Sequence, residues 1–487
     1  MDNQSSTISP RDAAWRGALR DAMSAKERRS IPRAKMPELA PDYRVTCNEE
    51  VNQGLSEEQA VLEATRCLDC PNPQCVTGCP VGVNIPGFIK NVQRREFGQA
   101  AAVLKETSAL PAVCGRVCPQ ERQCESKCIY HKMGADPVAI GYLERFAADS
   151  VRLSGDAPVP SVAPSNGKKV AVVGSGPAGL SFAGDMVKRG YEVTVYEALH
   201  EIGGVLKYGI PEFRLPNAVV DVEIDSLAAM GVKFVKDCVV GKTISRDELM
   251  AGYDGLFVAS GAGLPRFMGI PGENLINILS SNEYLTRINL MHAGTKGYLT
   301  PVPEGATVAV IGGGNTAMDS VRTARRMGAA RAVIVYRRSE AEMPARVEEV
   351  HHAKEEGVQF MTLCNPIEYL ADERGRVRAM KVQRMELGEP DESGRRSPRP
   401  IPGAVEEWPV DLVIVSVGVS PNPLIPHAIS QLEVSRRGTI VVDESTMRSS
   451  LPDLYAGGDI VRGGATVILA MGDGRRAAAA MHEALQV

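Results

Sequence analysis

The sequence predicts an α/β protein in which an N-terminal, cysteine-rich helical module precedes two Rossmann-like folds. Two observations carry this prediction. Eight of the eleven cysteines fall between Cys67 and Cys128, and glycine-rich turns follow apolar strands near residues 174 and 312. At 487 residues the chain has room for about three domains of ~150 residues each, which matches one module and two folds.

Composition excludes several classes of protein. With 44% apolar and 23% charged residues the chain is an ordinary globular one, and no apolar stretch approaches the roughly 18 residues of a membrane helix. A net charge of −4 argues against a nucleic-acid binder that neutralises phosphates. The first 30 residues show no apolar block before a small-residue cleavage site, so we expect a cytoplasmic protein without membrane association.

The segments before the nucleotide folds differ in character. Residues 1–45 are polar and contain several prolines, which predicts a surface arm rather than a domain. The apolar positions between Ile85 and Leu104 recur at helical spacing, which predicts one apolar helix face. Residues 154–168 are rich in serine, proline and glycine, which predicts a linker.

The clustered cysteines form two groups of four. The first reads C-x-x-C-x-x-x-x-C-x-x-x-C-P and the second C-x-x-x-C-P-x-x-x-x-C-x-x-x-C. Disulfides need an oxidising compartment, for which no signal is visible, whereas two zinc sites could use all eight thiols. The cysteine before proline, as in Cys79-Pro80 and Cys118-Pro119, is typical of ferredoxins, where it ligates a different cluster from its neighbours. Spacing therefore favours iron–sulfur ligation and leaves zinc open.

The segment VAVVGSGPAGLSFAGDMVKRGYEVTVYE reads as a buried strand, a glycine turn, a helix and a second strand that ends in an acid. In this dinucleotide fingerprint Gly174 permits the tight turn, and Gly176 lets a pyrophosphate reach the helix N-terminus. Gly179 allows the helix to pack closely on the strand, and Glu197 can accept hydrogen bonds from ribose hydroxyls. A glycine turn without a ligand would leave the placement of Glu197 unexplained.

A second fingerprint, VAVIGGGNTAMDSVRTARRMGAARAVIVYRRSE, repeats the pattern with Gly312, Gly314 and Ala317. Its second strand ends in Arg337 and Arg338 instead of an acid. An acid would repel a 2′-phosphate, whereas adjacent guanidiniums can pair with one, so this site is predicted to prefer NADPH to NADH. Arginines at the end of a strand are also often merely solvated.

A third glycine turn follows near the C-terminus, in LYAGGDIVRGGATVILAMGDGRRAAAAM. Gly457, Gly458 and Asp459 come after a short strand and before an apolar helix. The aspartate could bind the ribityl chain of a flavin, with the helix N-terminus near the isoalloxazine ring. It would serve equally well as a helix N-cap.

The order of these parts closely resembles the NADPH-dependent glutamate synthase small-subunit family. The strings CLDCPNPQCVTGCP, CGRVCPQERQCESKC, GSGPAGL, YRR and AGGD carry the resemblance, which covers essentially residues 30–487. The same family includes the large subunit of NADH-dependent reduced ferredoxin:NADP⁺ oxidoreductase, to which IPRAKMPE and ATVILAMGDGRRAA look closer. The module also resembles the N-terminal half of dihydropyrimidine dehydrogenase, but the sequence shows no FMN barrel.

The resemblance implies an all-helical iron–sulfur domain with two 4Fe–4S clusters, then an FAD-binding and an NADPH-binding Rossmann-like domain, the first interrupted by the second. The expected boundaries are 1–45 for the arm, 46–153 for the helical domain, 169–300 and 411–487 for the FAD-binding domain, and 301–410 for the NADPH-binding domain. The expected cofactors are therefore FAD, NADPH and two clusters.

The resemblance also assigns ligands. One cluster would take Cys67, Cys70, Cys75 and Cys128. The other would take Cys79, Cys118, Cys124 and a carboxylate ligand, Glu144, which leaves Cys114 as a spare thiol. As a plain helical residue, Glu144 has an ordinary interpretation too. Gly204 and Asn315 complete the expected cofactor-binding residues.

The implied activity is hydride exchange between NADP(H) and FAD, and exchange of single electrons with the clusters and a partner. No protein acid or base is expected to be catalytic. The first expectation is a glutamate synthase small subunit that works with its large subunit. The alternative is the large subunit of the bifurcating oxidoreductase, with a ferredoxin-reductase-like flavoprotein subunit and ferredoxin as partners. Both imply a hetero-oligomer, and neither a nucleic-acid nor a membrane partner.

Two other classes are weaker. A disulfide reductase would need a redox cysteine pair beside the flavin, but Cys238 and Cys364 stand singly in the sequence. A scaffold with zinc-filled cysteines and degenerate nucleotide sites would be colourless, whereas an iron–sulfur flavoprotein absorbs visible light.

Overall fold

A computed structural model describes residues 8–155, 159–302, 304–392 and 394–486. The predicted linker therefore lies partly outside the described residues. The helices are α1 Ala14–Asp21, α2 Ala25–Ser30, α3 Pro41–Arg44, α4 Glu57–Arg66, α5 Gln74–Thr77, α6 Ile85–Gln93, α7 Phe97–Thr107, α8 Pro111–Val117, α9 Ile129–Lys132, α10 Ile140–Ser154, α11 Pro177–Lys188, α12 Val205–Tyr208, α13 Asn217–Ala229, α14 Arg246–Met250, α15 Ser281–Asn289, α16 Asn315–Arg326, α17 Val347–Glu355, α18 Leu424–Ala428, α19 Asp459–Arg462 and α20 Val467–Leu485.

The strands form two parallel sheets, an antiparallel meander and a short antiparallel pair. They are β1 Lys169–Val173, β2 Glu192–Tyr196, β3 Lys233–Val235, β4 Gly255–Val258, β5 Leu264–Pro265, β6 Ile278–Ser280, β7 Thr307–Ile311, β8 Arg331–Tyr336, β9 Gln359–Thr362, β10 Cys364–Ala371, β11 Val377–Pro390, β12 Arg396–Pro409, β13 Leu412–Val415, β14 Val419–Ser420 and β15 Leu454–Ala456.

The N-terminal domain is all-helical, as the sequence predicts. The apolar helix face predicted between Ile85 and Leu104 is divided between two helices, α6 and α7, with a break between them. Arg95 adopts a left-handed conformation, with φ of 65°, and Glu96 N donates to Asn91 O at 2.9 Å. The apolar period continues across the break because both helices bury one face in the same core.

The first nucleotide fold is interrupted by the second, as expected. Its parallel sheet has the order β15-β4-β1-β2-β3. The edge strand β15 comes from the far end of the chain and pairs in register with β4, Leu454 opposite Leu256 and Ala456 opposite Val258. The C-terminal helix α20 then packs on α11 of the same fold.

The second parallel sheet has the order β6-β13-β7-β8-β9. It includes strands from outside the expected boundaries of the NADPH-binding domain, 301–410. Strand β6 lies before the predicted boundary at 300, and β13 lies after the one at 410. Val413 of β13 pairs with Ile278 of β6 and with Ala309 of β7, so strand pairing assigns both strands to this domain. The glycine fingerprint marks only the first strand–helix–strand unit, and outer strands carry no comparable motif.

The charged segment that follows β9 is also ordered. Strands β10, β11 and β12 form a three-stranded antiparallel meander beside the second sheet. Where the chain passes between the nucleotide folds, β5 and β14 pair antiparallel, with Leu264 opposite Ser420 and Pro265 opposite Val419. Both connections between the two folds are therefore joined to each other.

Buried ion pairs hold the arm and the two nucleotide folds together. Glu356, next to the end of α17, accepts from Arg322 Nη2 at 2.8 Å, from Arg326 Nη1 at 2.8 Å and from Arg44 Nε of the arm at 3.0 Å. Burial acts to raise the pKa of Glu356, but Arg322 and Arg326 outweigh it and lower this pKa to about 2. The first nucleotide fold is joined to the second by a further ion pair, in which Arg214 Nη1 lies 2.7 Å from Asp319 Oδ1 of α16.

The predicted surface arm contains helices α1 to α3, which its polar sequence did not indicate. Arg16 is only 2% exposed and pairs with Asp69, which lies between two cysteines in the sequence Cys-Leu-Asp-Cys. Arg20 Nη1 reaches the same carboxylate at 2.7 Å. The arm therefore packs against the cysteine loop through ion pairs. Because these contacts are made by charged side chains, the sequence of the arm shows no apolar periodicity that would have predicted its helices. Among the described residues, no helix is both long and apolar enough to cross a membrane.

We expect Asp69→Asn to lower the stability of the helical domain by about 3 kcal/mol, because it leaves the buried Arg16 without a carboxylate. Asparagine tolerates the positive φ of 52° at this position, so the backbone is preserved. The thermal unfolding midpoint and the rate of iron loss measure the effect. Asp42→Asn, on the exposed surface of α3, is the matched control, and an equal loss in both variants would contradict the role of this pair.

Candidate functional site

A large cavity lies between the two nucleotide folds. Its volume is about 1790 Å³, well above the roughly 300–1,000 Å³ of a single drug-sized site, so it has room for more than one cofactor. The predicted cofactor-binding residues that line it are Gly174, Gly176, Glu197, Gly204, Gly312, Gly314, Asn315, Arg337, Arg338, Gly458 and Asp459. The structure thus brings together residues that are up to 285 positions apart, from 174 to 459.

The first glycine turn has the geometry that a dinucleotide needs. Gly174 has φ of 99°, and a Cβ there would lie 2.5 Å from Ala259 O. A Cβ on Gly179 would lie 2.0 Å from Gly174 O, which places this glycine in the packing of α11 rather than in the cavity lining. Gly176 faces open space, with nothing within 4 Å of its Cβ position. A pyrophosphate could therefore approach the backbone at the start of α11.

Glu197 ends β2 at the rim of this turn and is 6% exposed. Its carboxylate accepts from the backbone N–H of Ser175 at 2.9 Å and from the Ser175 hydroxyl at 2.6 Å. It also accepts from Leu199 N at 2.9 Å. These donors fix the carboxylate at the cavity wall and leave lone pairs for a ribose hydroxyl. Ser175, which the sequence did not single out, also accepts from Gly203 N at 2.9 Å and so links the two glycine loops.

The third glycine turn depends on Asp473, a residue that the sequence analysis missed. Asp473 is fully buried in α20, and it accepts from Gly458 N at 3.0 Å and from Arg462 Nε at 2.7 Å. Burial, together with the nearby Asp473, raises the pKa of Asp459 to about 6. The sequence could have indicated this role, because Asp473 and the two arginines after it interrupt an otherwise apolar helix.

The second glycine turn repeats the first on the other sheet. Gly312 has φ of 145°, and a Cβ there would lie 2.3 Å from Ser416 O, at the end of the neighbouring strand. Asn315 does not point freely into the cavity, because its side-chain oxygen accepts from Arg346 N at 2.9 Å. The segment before α17 is thereby fixed against the start of α16.

The two arginines predicted to read a 2′-phosphate have different environments. Arg337 is exposed at the end of β8, and no hydrogen bond or ion pair of its side chain is described. Arg338 is 5% exposed, pairs with Asp391 and donates through Nε to Arg396 O at 2.8 Å. Both line the cavity, but Arg337 has the guanidinium available to an anion, whereas Arg338 holds the meander against β8.

The cysteines fall into two spatial groups. Cys67, Cys70 and Cys128 lie near Cys75, and burial together with their charges raises the pKa of the Cys75 thiol. Lys90 donates through Nζ to Cys67 O at 2.6 Å, and burial lowers its pKa to about 8. The structure thus collects the four cysteines of the first expected cluster around one region.

The second group contains Cys79, Cys118, Cys124 and Glu144. Burial first, and then the Glu144 charge, raise the pKa of Cys79 to about 11. Glu144 itself is 9% exposed, and burial raises its pKa to about 8. No hydrogen bond or ion pair of its side chain is described in residues 8–155. A buried carboxylate beside two buried thiols and the partly buried Cys79 is a donor set that a positively charged cluster would suit.

Cys114, the expected spare thiol, is fully buried beside Cys118. Its Sγ lies 3.5 Å from Met471 Sδ of α20. Pro119 reaches the cavity lining, and a Cβ on Gly472 would come within 2.9 Å of Pro80 O. The second cysteine group therefore lies directly against the first nucleotide fold.

Comparison with known families divides the chain in the same way. Residues 44–155 match the family described as dihydropyrimidine dehydrogenase domain II, 4Fe-4S cluster, and residues 168–484 match the pyridine nucleotide-disulphide oxidoreductase family. The structure also resembles that of FprA from Mycobacterium tuberculosis in complex with NADPH, with a TM-score of 0.56 at 21% identity over 66% of this chain and 85% of that one. At this identity the likeness supports the fold alone.

The chain also has relatives of known name. It is 36% identical over 445 residues to the NADPH glutamate synthase small chain of Escherichia coli, covering 90% of this chain and 94% of that one. It is 38% identical to the NADP(+)-dependent formate dehydrogenase subunit beta of Moorella thermoacetica, covering 85% of this chain but only 60% of that subunit. The NADPH-Fe(3+) oxidoreductase subunit beta of Geobacter sulfurreducens is 35% identical, with 86% of this chain and 65% of that one covered.

We expect Arg337→Ala to raise the KM for NADPH about tenfold or more and to change the KM for NADH little, because a guanidinium contact to the 2′-phosphate would be lost. Steady-state kinetics with both nucleotides measure the difference. Arg338→Ala is the matched control, and it should lower the thermal unfolding midpoint more than it alters nucleotide preference. Equal increases of both KM values in Arg337→Ala would show that Arg337 does not bind the phosphate.

We expect Glu144→Gln to alter the electron paramagnetic resonance signal and midpoint potential of one cluster and to leave the other unchanged. The amide preserves size but is a much weaker ligand than the carboxylate. A redox titration followed by electron paramagnetic resonance measures both of the expected clusters at once. Glu223→Gln, which changes a buried carboxylate near Glu144, is the control, and two unaltered clusters in Glu144→Gln would rule out ligation.

Proposed function

The chain belongs to the pyridine nucleotide-disulphide oxidoreductase family, among the relatives of NADPH glutamate synthase small chains, and we propose that it passes electrons from NADPH to a glutamate synthase large chain. It is an NADPH iron–sulfur flavoprotein oxidoreductase. The observation that carries the proposal is coverage, because the match spans 94% of the small chain but only 60–65% of the formate dehydrogenase and iron oxidoreductase subunits. The names of those longer relatives are therefore weaker evidence for the partner of this chain.

The residues of the first nucleotide fold are proposed to hold FAD. Gly174 and Gly176 leave the start of α11 open to the pyrophosphate, and the fixed carboxylate of Glu197 is set to accept from the ribose. Gly458 and Asp459, held by Asp473, are set to meet the ribityl end. FAD supplies the exchange between two-electron hydride transfer and single-electron transfer to iron–sulfur clusters.

The second nucleotide fold is proposed to hold NADPH. Gly312 and Gly314 offer the same open turn, and Arg337 offers the free guanidinium for the 2′-phosphate. Asn315 and Arg346 fix the neighbouring loop, and both glycine turns line the same cavity. The chain supplies binding and orientation here, and the site requires no protein acid or base.

The helical domain is proposed to bind two 4Fe–4S clusters. The grouping of Cys67, Cys70, Cys75 and Cys128 supports one site. The second site would use Cys79, Cys118, Cys124 and Glu144. The contact of the neighbouring Cys114 with Met471 of α20 supports a position for this site on the flavin side. We propose that electrons pass from the second site to the first and then to the partner.

A second candidate is the large subunit of the bifurcating ferredoxin:NADP⁺ oxidoreductase. The strings IPRAKMPE and ATVILAMGDGRRAA favour it. The relatives that are named as beta subunits of other enzymes support the use of this chain type in more than one assembly. In that assembly the partners would be a ferredoxin-reductase-like flavoprotein subunit and ferredoxin.

Reconstitution tests the proposal. With a purified glutamate synthase large chain, glutamine and 2-oxoglutarate, we expect two glutamates to form for each NADPH oxidised, because one glutamine and one 2-oxoglutarate enter each cycle. Reduction of an artificial dye by NADPH without the large chain is the control for an intact electron-input subunit. Dye reduction without glutamate would contradict the glutamate synthase role, and NAD⁺- and ferredoxin-dependent turnover with the alternative partners would favour the second candidate.

A further inference from the structure

Three ligating side chains from separate parts of the chain converge outside the cavity and the cysteine groups. Glu38 comes from the N-terminal arm, and Glu348 and His352 lie one turn apart on α17. One ligand atom from each lies within 4.8 Å of the other two. Glu38 is also joined by a β-bridge to Asn52, which brings a fourth polar side chain to the same place.

The second observation is a concentration of buried polar atoms without partners. His352 is 1% exposed, yet neither Nδ1 nor Nε2 makes a hydrogen bond in the described structure. Nε2 lies 3.1 Å from Glu38 Oε2, but the oxygen is not in hydrogen-bond geometry with the ring. The Asn52 side-chain oxygen is likewise buried without a partner, while its nitrogen donates to Glu348 Oε1 at 3.2 Å. Buried polar atoms that stay unpaired are destabilising, so their concentration here favours a bound ligand.

We propose that Glu38, Glu348 and His352 bind a divalent transition-metal ion, and that this ion is zinc. One imidazole and two carboxylates combine a borderline nitrogen ligand with hard oxygen ligands, a set that suits zinc better than the oxygen-only cages of calcium and magnesium. A fourth position is left for water or for the side-chain oxygen of Asn52. Zinc bonds of about 2.0–2.2 Å would require the ligand atoms to move inward, and the two glutamate side chains have the rotamers to do so.

Two arginines flank the site and fit it as outer partners. Arg44 Nη1 lies 3.5 Å from Glu38 Oε2, and Arg346 Nη2 lies 3.1 Å from Glu348 Oε2. Each carboxylate has lone pairs for both an arginine and a metal, and ligating carboxylates are commonly held by such second contacts. The competing arrangement is an ion pair between protonated His352 and Glu38, with no metal.

The position of the site defines its role. A metal there would tie the arm, through Glu38, to α17 of the second nucleotide fold. Glu356, one residue beyond the end of α17, already receives Arg44 from the arm. The ion would thus reinforce a contact between domains and would take no part in electron transfer.

Zinc binding to the cluster-loaded protein tests the proposal, because loaded cysteines do not compete for the added metal. Zinc is added, excess is removed on a chelating resin, and zinc and iron are measured together. We expect about one zinc per chain in the wild-type protein and at least about tenfold weaker binding in His352→Gln and Glu348→Gln, each of which removes one ligand. His351→Gln is the matched control, since His351 is the exposed neighbour on the same helix and should retain full binding.

Glu38→Gln provides a second variant, in the half-exposed arm, should the buried substitutions impair folding. Zinc should raise the thermal unfolding midpoint of the wild type and of His351→Gln but not of Glu38→Gln. Absence of zinc from the wild type at full iron content, or equal zinc in all variants, would overturn the proposal. Loss of stability in His352→Gln without any effect of zinc would assign His352 to the ion pair alone.

Discussion

The arrangement of the domains depends on guanidinium–carboxylate pairs that are buried where the arm and the two nucleotide folds meet. Arg322 and Glu356 are fully buried, and the Phe213 ring lies 4.7 Å from the Arg322 guanidinium. Glu349 joins Arg214 of the first fold at 3.1 Å to Arg322 of the second, and these arginines lower its pKa to about 2. The pairs that cross between units are Arg44–Glu356, Arg214–Asp319 and Arg214–Glu349. Removing one partner of such a pair leaves the other charge buried and uncompensated, which costs several kcal/mol. The cavity that both glycine turns line lies between these units and therefore depends on this constraint.

Features set by a few neighbouring residues could be predicted from the sequence. The turn at Gly174 needs a left-handed glycine after a buried strand, and the same holds at Gly312, so both fingerprints and the interrupted fold are readable. The two cysteine groups could be recognised for the same reason, because each is defined by spacings within one short segment. The grouping of Cys128 with Cys67 came instead from family resemblance, since nothing within either string specifies that pairing.

Features set by distant partners could not be predicted. Arg338 and Arg337 are adjacent in sequence, but only the former meets Asp391, 53 residues away. Strand β6 carries no motif, so its place beside β13 depends on a pairing that spans more than a hundred residues. Asp473 and Arg16 are charged residues that a composition argument places at the surface, yet each is buried because a specific partner meets it.

The return of the chain to the first sheet has a consequence for biosynthesis. Strand β4 has its final neighbour β15 only after the entire second nucleotide fold has been made, about 200 residues later. During translation the edge of β4 and the apolar face of α11 therefore remain without the segment that covers them, while the inserted fold can already form its own sheet. The last 34 residues, from Leu454 onward, thus complete the first fold, and nascent chains that lack them present an open strand edge to chaperones and proteases.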